Sequence, residues 1–379
     1  MSIQSNLVAC IFSSSSLTIL FALLALVLPL AEGQLWWQHI WVIGPLLVIS
    51  GGVLALRISK LHNFWSAGLL LLIVLVVLWL ALVMVHHIHI VTSAAAGFWC
   101  FVLALSLLLW HCMTRLSAIS IISPLANQPL DLLVPGLFGV WLISLWELMV
   151  VGFGIPYVLL PAPSVIGQAF ISSVPVLVAD FQQTVLKAVI PGFILGNSVG
   201  FLVALLTDRI PFLQRGLLPV GNLVSAIPIV GIAPIMVMWF GFDWQSKAAV
   251  VVIMTFFPML VNAIAGLSQS DSIERDLMRS YGASYWQQLF KLRLPNALPF
   301  IFNALKINST LALIGAIVAE FFGTPIVGMG FRISTEVGRM NIEMVWASIA
   351  VAALSGSAFY GLFAILERQI TFWHASLRK

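Results

Sequence analysis

The feature that most constrains this chain is a series of long apolar runs without charge. Ten such runs can be marked along the 379 residues, and each approaches the roughly 20 residues that an α-helix needs to cross a bilayer. They lie at about 11–30, 40–56, 64–85, 91–113, 134–152, 184–206, 217–239, 248–267, 298–322 and 345–366. Because unpaired backbone groups are costly in lipid, we expect these runs to form helices and not strands.

Composition supports a membrane protein and excludes a water-soluble enzyme. Only 8% of the residues are charged and 61% are hydrophobic, whereas about a quarter of an ordinary soluble domain is charged. The net charge of +4 needs no nucleic-acid partner if the cations lie on one side of a bilayer. The three cysteines, Cys10, Cys100 and Cys112, have no metal-type spacing and predict no disulfide framework.

The positions of the cations predict the orientation of the chain. With the N-terminus inside and alternating crossings, 12 of the 17 Lys and Arg residues fall on inward-facing segments. Only Lys247, Arg332 and Arg339 fall on outward-facing ones. Since Lys and Arg are enriched in cytoplasmic loops, we predict a multi-pass protein with both termini in the cytoplasm.

The texture of the sequence changes near residue 120. Residues before this point are rich in Leu, Val and Trp, whereas Pro, Gly and polar residues enter the apolar runs after it. We therefore predict an all-α integral membrane protein with about ten transmembrane helices. About four would form an accessory region at 1–120, and about six would form a second domain at 121–379.

The longest polar segment on the predicted inward side is 268–296. Asp271 followed three residues later by Glu274 is the pattern of a helix cap and its capping-box partner. We expect a short helix from this cap to about Ser280. Gly282 can adopt the left-handed conformation that closes a helix.

A second short helix is predicted directly after this glycine. Ser284 and Gln287 repeat the capping pattern and begin a helix over Tyr285–Leu292. Leu294-Pro295 predicts its end, because the residue before a proline is pushed out of helical geometry. The apolar residues around the turn favour docking onto another protein, and the alternative is an amphipathic segment resting on lipid headgroups. These residues are Tyr281, Tyr285, Trp286, Leu289 and Phe290.

The spacing in this loop resembles that of importer permeases of ATP-binding-cassette systems. Those permeases carry Glu-Ala-Ala, three residues, Gly, nine residues and then Ile-x-Leu-Pro. Here Asp276-Leu277-Met278 is followed by three residues and Gly282, and nine residues later by Leu292-Arg293-Leu294-Pro295. Asp, Leu and Met replace Glu, Ala and Ala at the first three positions.

Further segments resemble the nitrate, sulfonate, taurine and bicarbonate branch of that family. This branch also includes riboflavin and thiamine-pyrimidine precursor importers. The similar segments are Leu160-Pro161-Ala162-Pro163-Ser164, Ala226-Ile227-Pro228, Ala233-Pro234, Trp239-Phe240-Gly241 with Ser246-Lys247, and Ala319-Glu320-Phe321-Phe322-Gly323. The resemblance covers about residues 135–372 and leaves out 1–120.

The resemblance implies the permease subunit of an ATP-driven importer, with a type I six-helix core, in a bacterial inner (plasma) membrane. An extracytoplasmic binding protein would deliver a small solute and select it. The loop over residues 271–295 would dock onto separate ATP-binding-cassette ATPase subunits, in two copies. A second permease would then be needed, most simply as a homodimer. The residues implied in docking are Asp276, Gly282, Ala283, Ser284, Tyr285, Trp286, Leu289, Leu292, Leu294 and Pro295.

The chain itself is not expected to be an enzyme. It contains no G-x-x-x-x-G-K-[ST] segment of the kind that cradles phosphates. The cofactors ATP and Mg²⁺ are therefore expected on the partner ATPase, and none on this chain.

Prolines and polar residues in the later runs predict the translocation pathway. Pro228, Gly231 and Pro234 interrupt the seventh run, and such breaks are tolerated where a helix lines a cavity. Lys306 has polar neighbours that favour attraction of an anionic substrate, and replacing it by Met is expected to impair uptake without reducing membrane abundance. The pathway candidates are Ser225, Pro228, Pro234, Asn262, Asn303, Lys306, Asn308, Ser309 and Glu320.

Four ionisable residues near membrane depth allow two interpretations. Glu147, Lys187, Lys306 and Glu320 are balanced in sign and are expected to pair within the bundle. Alternatively, Glu147 or Glu320 is a proton relay in an ATP-independent secondary transporter. Such carriers often have two related halves, and no internal repeat is evident.

Two further groups carry weaker signals. Gly192, Gly196 and Gly200 predict close helix packing, within the chain or in a dimer contact. His86 and His89 are three residues apart, with His87 between them. On a helix this spacing would let two imidazoles share a face, which suggests metal or haem ligation in a membrane redox protein. We assign no metal site, because no Cys or carboxylate lies near them in the sequence.

Overall fold

The computed structural model describes residues 17–29, 44, 63–87, 96–122, 128–210, 212–213, 216–217, 219–220, 227–323 and 326–373. Every regular element in these ranges is helical, which confirms the predicted all-α class. Among the described residues, seven helices are long and apolar enough to cross a membrane, and two shorter apolar helices accompany them.

The helices are numbered here in chain order. They are α1 (Leu17–Val27), α2 (Asn63–His87), α3 (Ala96–Ile122), α4 (Gln128–Gly152), α5 (Pro163–Ser172), α6 (Val174–Arg209, π-helical over Gln182–Val189), α7 (Ile229–Phe240), α8 (Trp244–Ser268), α9 (Ser272–Ser280), α10 (Tyr285–Glu320, π-helical over Leu289–Arg293), α11 (Met329–Gly338) and α12 (Ile342–Ile370). Each predicted apolar run overlaps one of them, apart from the run at 40–56, of which only residue 44 is among the described residues.

The chain divides into two compact units, Met1–Ile166 and Gly167–Lys379. In the first unit, α2, α3 and α4 pack around a core in which Val77, Phe98 and Phe101 are fully buried. Large apolar side chains also cover the outside of these helices, with Trp79 63% exposed and Trp110 61% exposed. Helices that are apolar on both faces are typical of a membrane. The sequence-based division at residue 120 stays a prediction.

In the second unit, α8 lies between α6 and α10. Helices α6 and α8 approach each other closely at all three glycines Gly192, Gly196 and Gly200. A Cβ atom on Gly196 would stand 2.0 Å from the Thr255 hydroxyl oxygen, and one on Gly192 would stand 2.7 Å from the Ala248 carbonyl oxygen. The three glycines therefore pack within the chain, as one of the two interpretations of this row predicts.

The prediction that Leu294-Pro295 ends the second short helix of the loop is wrong. The helix that begins at Tyr285 continues to Glu320. A wider turn at Leu289–Arg293 absorbs the proline, and the Leu294 N–H donates to the Leu289 carbonyl five residues earlier. Pro295 then lies in the first turn of regular α-helix, where its missing N–H is tolerated.

Candidate functional site

The polar loop between α8 and α10 folds as two short helical segments meeting at a turn. The Asp271 carboxylate accepts the Ile273 N–H at 3.1 Å and begins α9. Gly282 has φ +73, and the next residue, Ala283, donates its N–H to the Met278 carbonyl at 3.0 Å. These contacts confirm the predicted first helix and its glycine stop.

The start of the second segment is a complete capping box. The Ser284 hydroxyl accepts the Gln287 N–H, and the Gln287 side chain accepts the Ser284 N–H. Of the two helix starts in this loop, both of which are described, only the second has this reciprocal pair. The turn is thereby defined by bonds within the loop itself.

The loop presents an exposed apolar face, which we call the docking face. Its residues come from both helical segments, and their exposed fractions range from 53% to 84%. Within it, the rings of Trp286 and Phe290 stack with centroids 6.0 Å apart. The face consists of Ile273, Leu277, Tyr281, Trp286 and Phe290. Large apolar side chains exposed together in one short polar loop are a feature of binding surfaces.

The structure separates the predicted docking residues into three groups by exposure. Asp276, Gly282, Ser284 and Trp286 are exposed. Leu289 is 1% exposed and packs on Leu267 and Ala297. The remaining predicted residues, Ala283, Tyr285, Leu292, Leu294 and Pro295, are half-buried. Leu289 therefore belongs to the packing between this segment and the helix bundle, whereas Trp286 and Phe290 remain exposed.

The base of the loop is held by an ion pair that the sequence reasoning missed. The Arg293 guanidinium donates to both carboxylate oxygens of Asp208, at 2.7 and 2.5 Å, and also to the Leu267 carbonyl at 3.0 and 3.1 Å. The Tyr285 hydroxyl donates to the same carboxylate at 2.9 Å. The only sequence signal was a lone acid, Asp208, at the end of an apolar run.

Most pathway candidates bond to neighbouring helices. Lys306 forms an ion pair with Glu367 at 2.6 Å. Asn308 is fully buried and donates to Asn197 at 2.6 Å and to the Thr255 carbonyl at 2.7 Å. Ser309 is also buried and donates to the Lys306 carbonyl. The charge of Lys306 is thus already paired in the structure.

The other candidates lie apart from this group. Asn303 and Asn262 face each other at 3.5 Å. Pro228 is exposed at the start of α7, and Pro234 lies half-buried inside that helix, while Ser225 lies outside the described residues. None of the candidates that the structure describes lines the apolar cavity of about 130 Å³ beside α7. That cavity is lined by Ile227, Ile229, Ile232, Ile253, Met254, Phe257, Pro258 and Leu311.

Glu320 lies at the other end of α10 from the loop and is 3% exposed. Its two carboxylate oxygens accept the Thr184 hydroxyl at 2.7 Å and the Gly330 N–H at 2.6 Å. Thr184 accepts the Met329 N–H at 2.8 Å. Two successive N–H groups at the start of α11 are thereby bound by side chains, an arrangement that suits the positive end of a helix.

Asp180 completes the binding of this helix start. It accepts the Gly328 N–H at 2.8 Å and pairs with Arg332 at 2.8 Å. The hydrogen bond that Arg332 donates to Asp180 is the main cause that raises the pKa of Arg332 above its usual value. Gly328 has φ +141, and a Cβ atom there would stand 2.7 Å from a Glu320 oxygen, so only glycine fits.

The remaining ionisable candidates also have partners inside their own unit. Lys187 donates to Gln183 at 3.1 Å. Glu147 accepts from His86 at 2.9 Å and from the Ser164 hydroxyl and N–H at 2.7 and 2.9 Å. His86 thus has a carboxylate partner that its sequence neighbours do not include, because Glu147 is 61 residues away in sequence. Among the described residues no three His, Cys, Asp or Glu side chains come together as a metal site would require; the side chain of His87, and His89 entirely, lie outside them.

The fold and the loop together define a class of protein: a multi-pass helical membrane protein with a polar helix–turn–helix loop between two crossings. Residues 196–372 match the family described as binding-protein-dependent transport system inner membrane component. With the full-length relatives below, this match shows that the chain belongs to that family. It is the membrane permease subunit of a binding-protein-dependent importer for a small solute.

Three relatives illustrate the similarity. The riboflavin transport system permease protein RibX of Chloroflexus aurantiacus is 31% identical over 239 residues, covering 62% of this chain and 88% of the relative. The formylaminopyrimidine transport permease protein ThiX of Halalkalibacterium halodurans is 32% identical over 241 residues, covering 64% and 96%. The taurine transport system permease protein TauC of Escherichia coli is 30% identical over 165 residues, covering 43% and 60%. The branch expected from the sequence is thereby confirmed.

Proposed function

We propose that this permease couples solute movement to ATP hydrolysis by a separate ATPase, through the loop over residues 271–295. ATP and Mg²⁺ would be bound by that ATPase. Closure of two ATPase subunits would push two such loops together and switch the bundle between inward- and outward-facing forms. One loop per chain implies a second permease copy, which we propose to be an identical chain.

The observation that carries this proposal is the docking face. Five large apolar side chains are exposed on a segment that is otherwise polar and begins with a capped turn. A lipid-bound amphipathic segment would need its apolar side chains on one helix face along its length. Here they come from two segments on either side of a glycine turn, which suits insertion into the cleft of a folded partner.

The remaining partners follow from the family. We propose that an extracytoplasmic binding protein delivers the solute and selects it. The relatives named for riboflavin, formylaminopyrimidine and taurine transport indicate a small organic solute for this chain as well. We place the complex in a bacterial inner membrane with the docking face and both termini on the cytoplasmic side.

The test is co-purification of the tagged permease with the ATPase subunit of its own transport system. Trp286→Glu and Phe290→Glu are expected to lower recovery of the ATPase about tenfold or more, because a charge enters the centre of an apolar interface. The matched control is Trp239→Glu, at an exposed Trp near the end of α7 and far from the loop. Undiminished recovery with the two loop variants would disprove the docking role.

The stoichiometry is tested on the same complex. Native mass spectrometry of the detergent-solubilised complex is expected to give two identical permeases for every two ATPases. Detection of this chain together with a different permease would contradict the homodimer and show a pair of paralogous permeases instead.

A further inference from the structure

Arg293 is the point at which three segments of the second unit meet. Its guanidinium binds the carboxylate at the end of α6 and the Leu267 carbonyl near the end of α8, while its own backbone lies in the wide turn in the first part of α10. The side chains of Arg293 and Asp208 are each 13% exposed. A planar guanidinium with two parallel bonds to a carboxylate fixes orientation as well as distance.

The second loop segment is bound to the same carboxylate. The Tyr285 hydroxyl donates to Asp208, and Arg209 lies 5.4 Å from the centre of the Tyr285 ring and 5.8 Å from that of Trp286. Trp286 belongs to the docking face. A continuous set of contacts therefore leads from the surface that would touch the ATPase to the last turn of α6.

The connection from the loop to α10 is of a different kind. It is the π-helical turn Leu289–Arg293, and such turns are places where a helix bends. Without the Asp208–Arg293 pair, movement of the loop would reach the bundle through this turn and through the short chain after Ser268. With it, the movement also reaches α6 directly.

Helix α6 is built to carry such movement over a long distance. It spans Val174–Arg209, which is roughly 50 Å at the rise of an α-helix. Along its middle it packs on α8 at Gly192, Gly196 and Gly200. At its far end Asp180 and Thr184 hold the start of α11. Both ends of one helix are thus fastened by charged or hydrogen-bonded side chains.

We propose that Asp208 and Arg293 are positioning residues that transmit movement of the docking loop through α6 to the opposite end of the bundle. The proposal rests on the docking role of the loop. It differs from a role in fold stability alone, because it requires that the far end of α6 respond to nucleotide only while the pair is intact. Tyr285 supports the pair but does not replace its two parallel bonds.

The experiment uses the full permease–ATPase complex in lipid nanodiscs, with the three native cysteines replaced by Ser. A single reporter cysteine is placed by Ser172→Cys, at an exposed position next to the start of α6, or by Ser280→Cys, on the loop itself. Labelling by a water-soluble maleimide is measured with ADP and with ATP plus vanadate. The first reporter measures the far end of α6, and the second measures whether the ATPase still covers the loop.

With the pair intact, the two nucleotide states are expected to differ about fivefold or more in labelling at the far reporter. Asp208→Asn and Arg293→Gln should abolish most of that difference while protection of the loop reporter remains. The double variant should lose no more than either single one, because the two residues act as a unit. Asp208→Glu, which keeps the carboxylate, should retain part of the response. Arg339→Gln, which removes an arginine 67% exposed just after α11, is the matched control and should respond like the parent.

A far-end response that survives Asp208→Asn and Arg293→Gln would overturn the proposal, and so would a parent complex without any such response. If Asp208→Asn fails to accumulate, Arg293→Lys keeps the charge but loses the two parallel bonds and should give an intermediate response. If the amount of folded complex falls in proportion to the lost response in Arg293→Lys as well, the pair only stabilises the fold and the proposal is wrong. Failure of the docking role is separate, since it would be seen as unprotected loop labelling in the parent.

Discussion

The two ends of α6 are held by the same pair of residue types, an aspartate and an arginine, in different surroundings. Asp180 is fully buried and binds Arg332 together with a backbone N–H at the start of α11. Asp208 binds Arg293 together with a tyrosine hydroxyl, beside the exposed docking face. One end is closed by the chain itself, and the other continues into a surface that would meet a partner.

The difference shows how burial changes the role of an ion pair. At Asp180 the carboxylate also binds a main-chain N–H, so it belongs to the fold of α11, and its loss leaves the largely buried Arg332 with only the longer, 3.7 Å pair to Glu336. At Asp208 the partners are side chains of a loop, and the carboxylate is 13% exposed whereas that of Asp180 is fully buried, so this pair can change its geometry at lower cost. We therefore expect the Asp180 end to determine stability and the Asp208 end to determine coupling.

Asp180→Asn is expected to have the largest effect on stability. It leaves the Arg332 charge without its main partner and costs about 3 kcal/mol or more of unfolding free energy. The measurement is the thermal unfolding midpoint of the purified permease in detergent. Arg339→Gln, which removes an arginine 67% exposed just after α11 from its 3.3 Å pair with Glu336, should change stability by about 0.5 kcal/mol or less. Equal effects of the two variants would remove the distinction drawn for the α11 end.

Gly196→Val tests the middle of α6. The new side chain would collide with Thr255, and separating α6 from α8 should cost about 2 kcal/mol or more. Gly361→Val in α12 is the control, because nothing lies within 4 Å of a Cβ atom there. Folded yield after size-exclusion chromatography, followed by thermal unfolding, measures both. A tolerated valine at position 196 would mean that α6 is not firmly packed between its two ends.

Lys306→Met examines a third ion pair, between α10 and α12. Since Lys306 binds Glu367 at 2.6 Å, its loss should cost about 1 to 3 kcal/mol and lower the membrane abundance. Adding Glu367→Met should restore abundance, because no unpaired charge remains. Quantitative immunoblotting of membranes measures both. Intact abundance in the single variant, with lost uptake, would instead support attraction of an anionic solute.

Tyr285→Phe should have the smallest effect of this series. It removes one hydrogen bond to Asp208 and should lower the unfolding free energy by about 1 kcal/mol. The two bonds from Arg293 remain, so ATPase recovery should be unchanged. Tyr360→Phe, at a half-exposed tyrosine in α12, controls for loss of a phenol hydroxyl. A loss as large as that of Asp180→Asn would contradict the proposed division of roles between the two ends.

Local features of the loop could be predicted because the residues that cause them are neighbours. Asp271, Gly282 and the Ser284–Gln287 box act within a few residues of one another, and the structure places them as expected. Leu294-Pro295 misled the prediction because a wider turn upstream can absorb a proline. Whether such a turn forms depends on its tertiary contacts. Here Arg293, within the turn, donates to Asp208, which is 85 positions away in the sequence.

The pairing of charges could not be predicted from the sequence. Asp180 and Arg332 are 152 positions apart, and Glu367 is 61 positions from Lys306. Nothing in the sequence distinguishes a cation that faces a pathway from one that is already paired. The same holds for Leu289 and Phe290, adjacent apolar residues of which one is buried and the other is 60% exposed.

The sequence by itself determined that this protein crosses a membrane as a bundle of helices, where its polar loop begins and turns, and to which family of importers it belongs. Those properties depend on hydropathy, on local hydrogen bonds and on motif spacing, all of which can be read along the chain. Only the tertiary structure decided which loop side chains form the docking face and which carboxylates hold the two ends of α6. Both depend on packing between segments far apart in the sequence, since burial and charge pairing are properties of the folded neighbourhood.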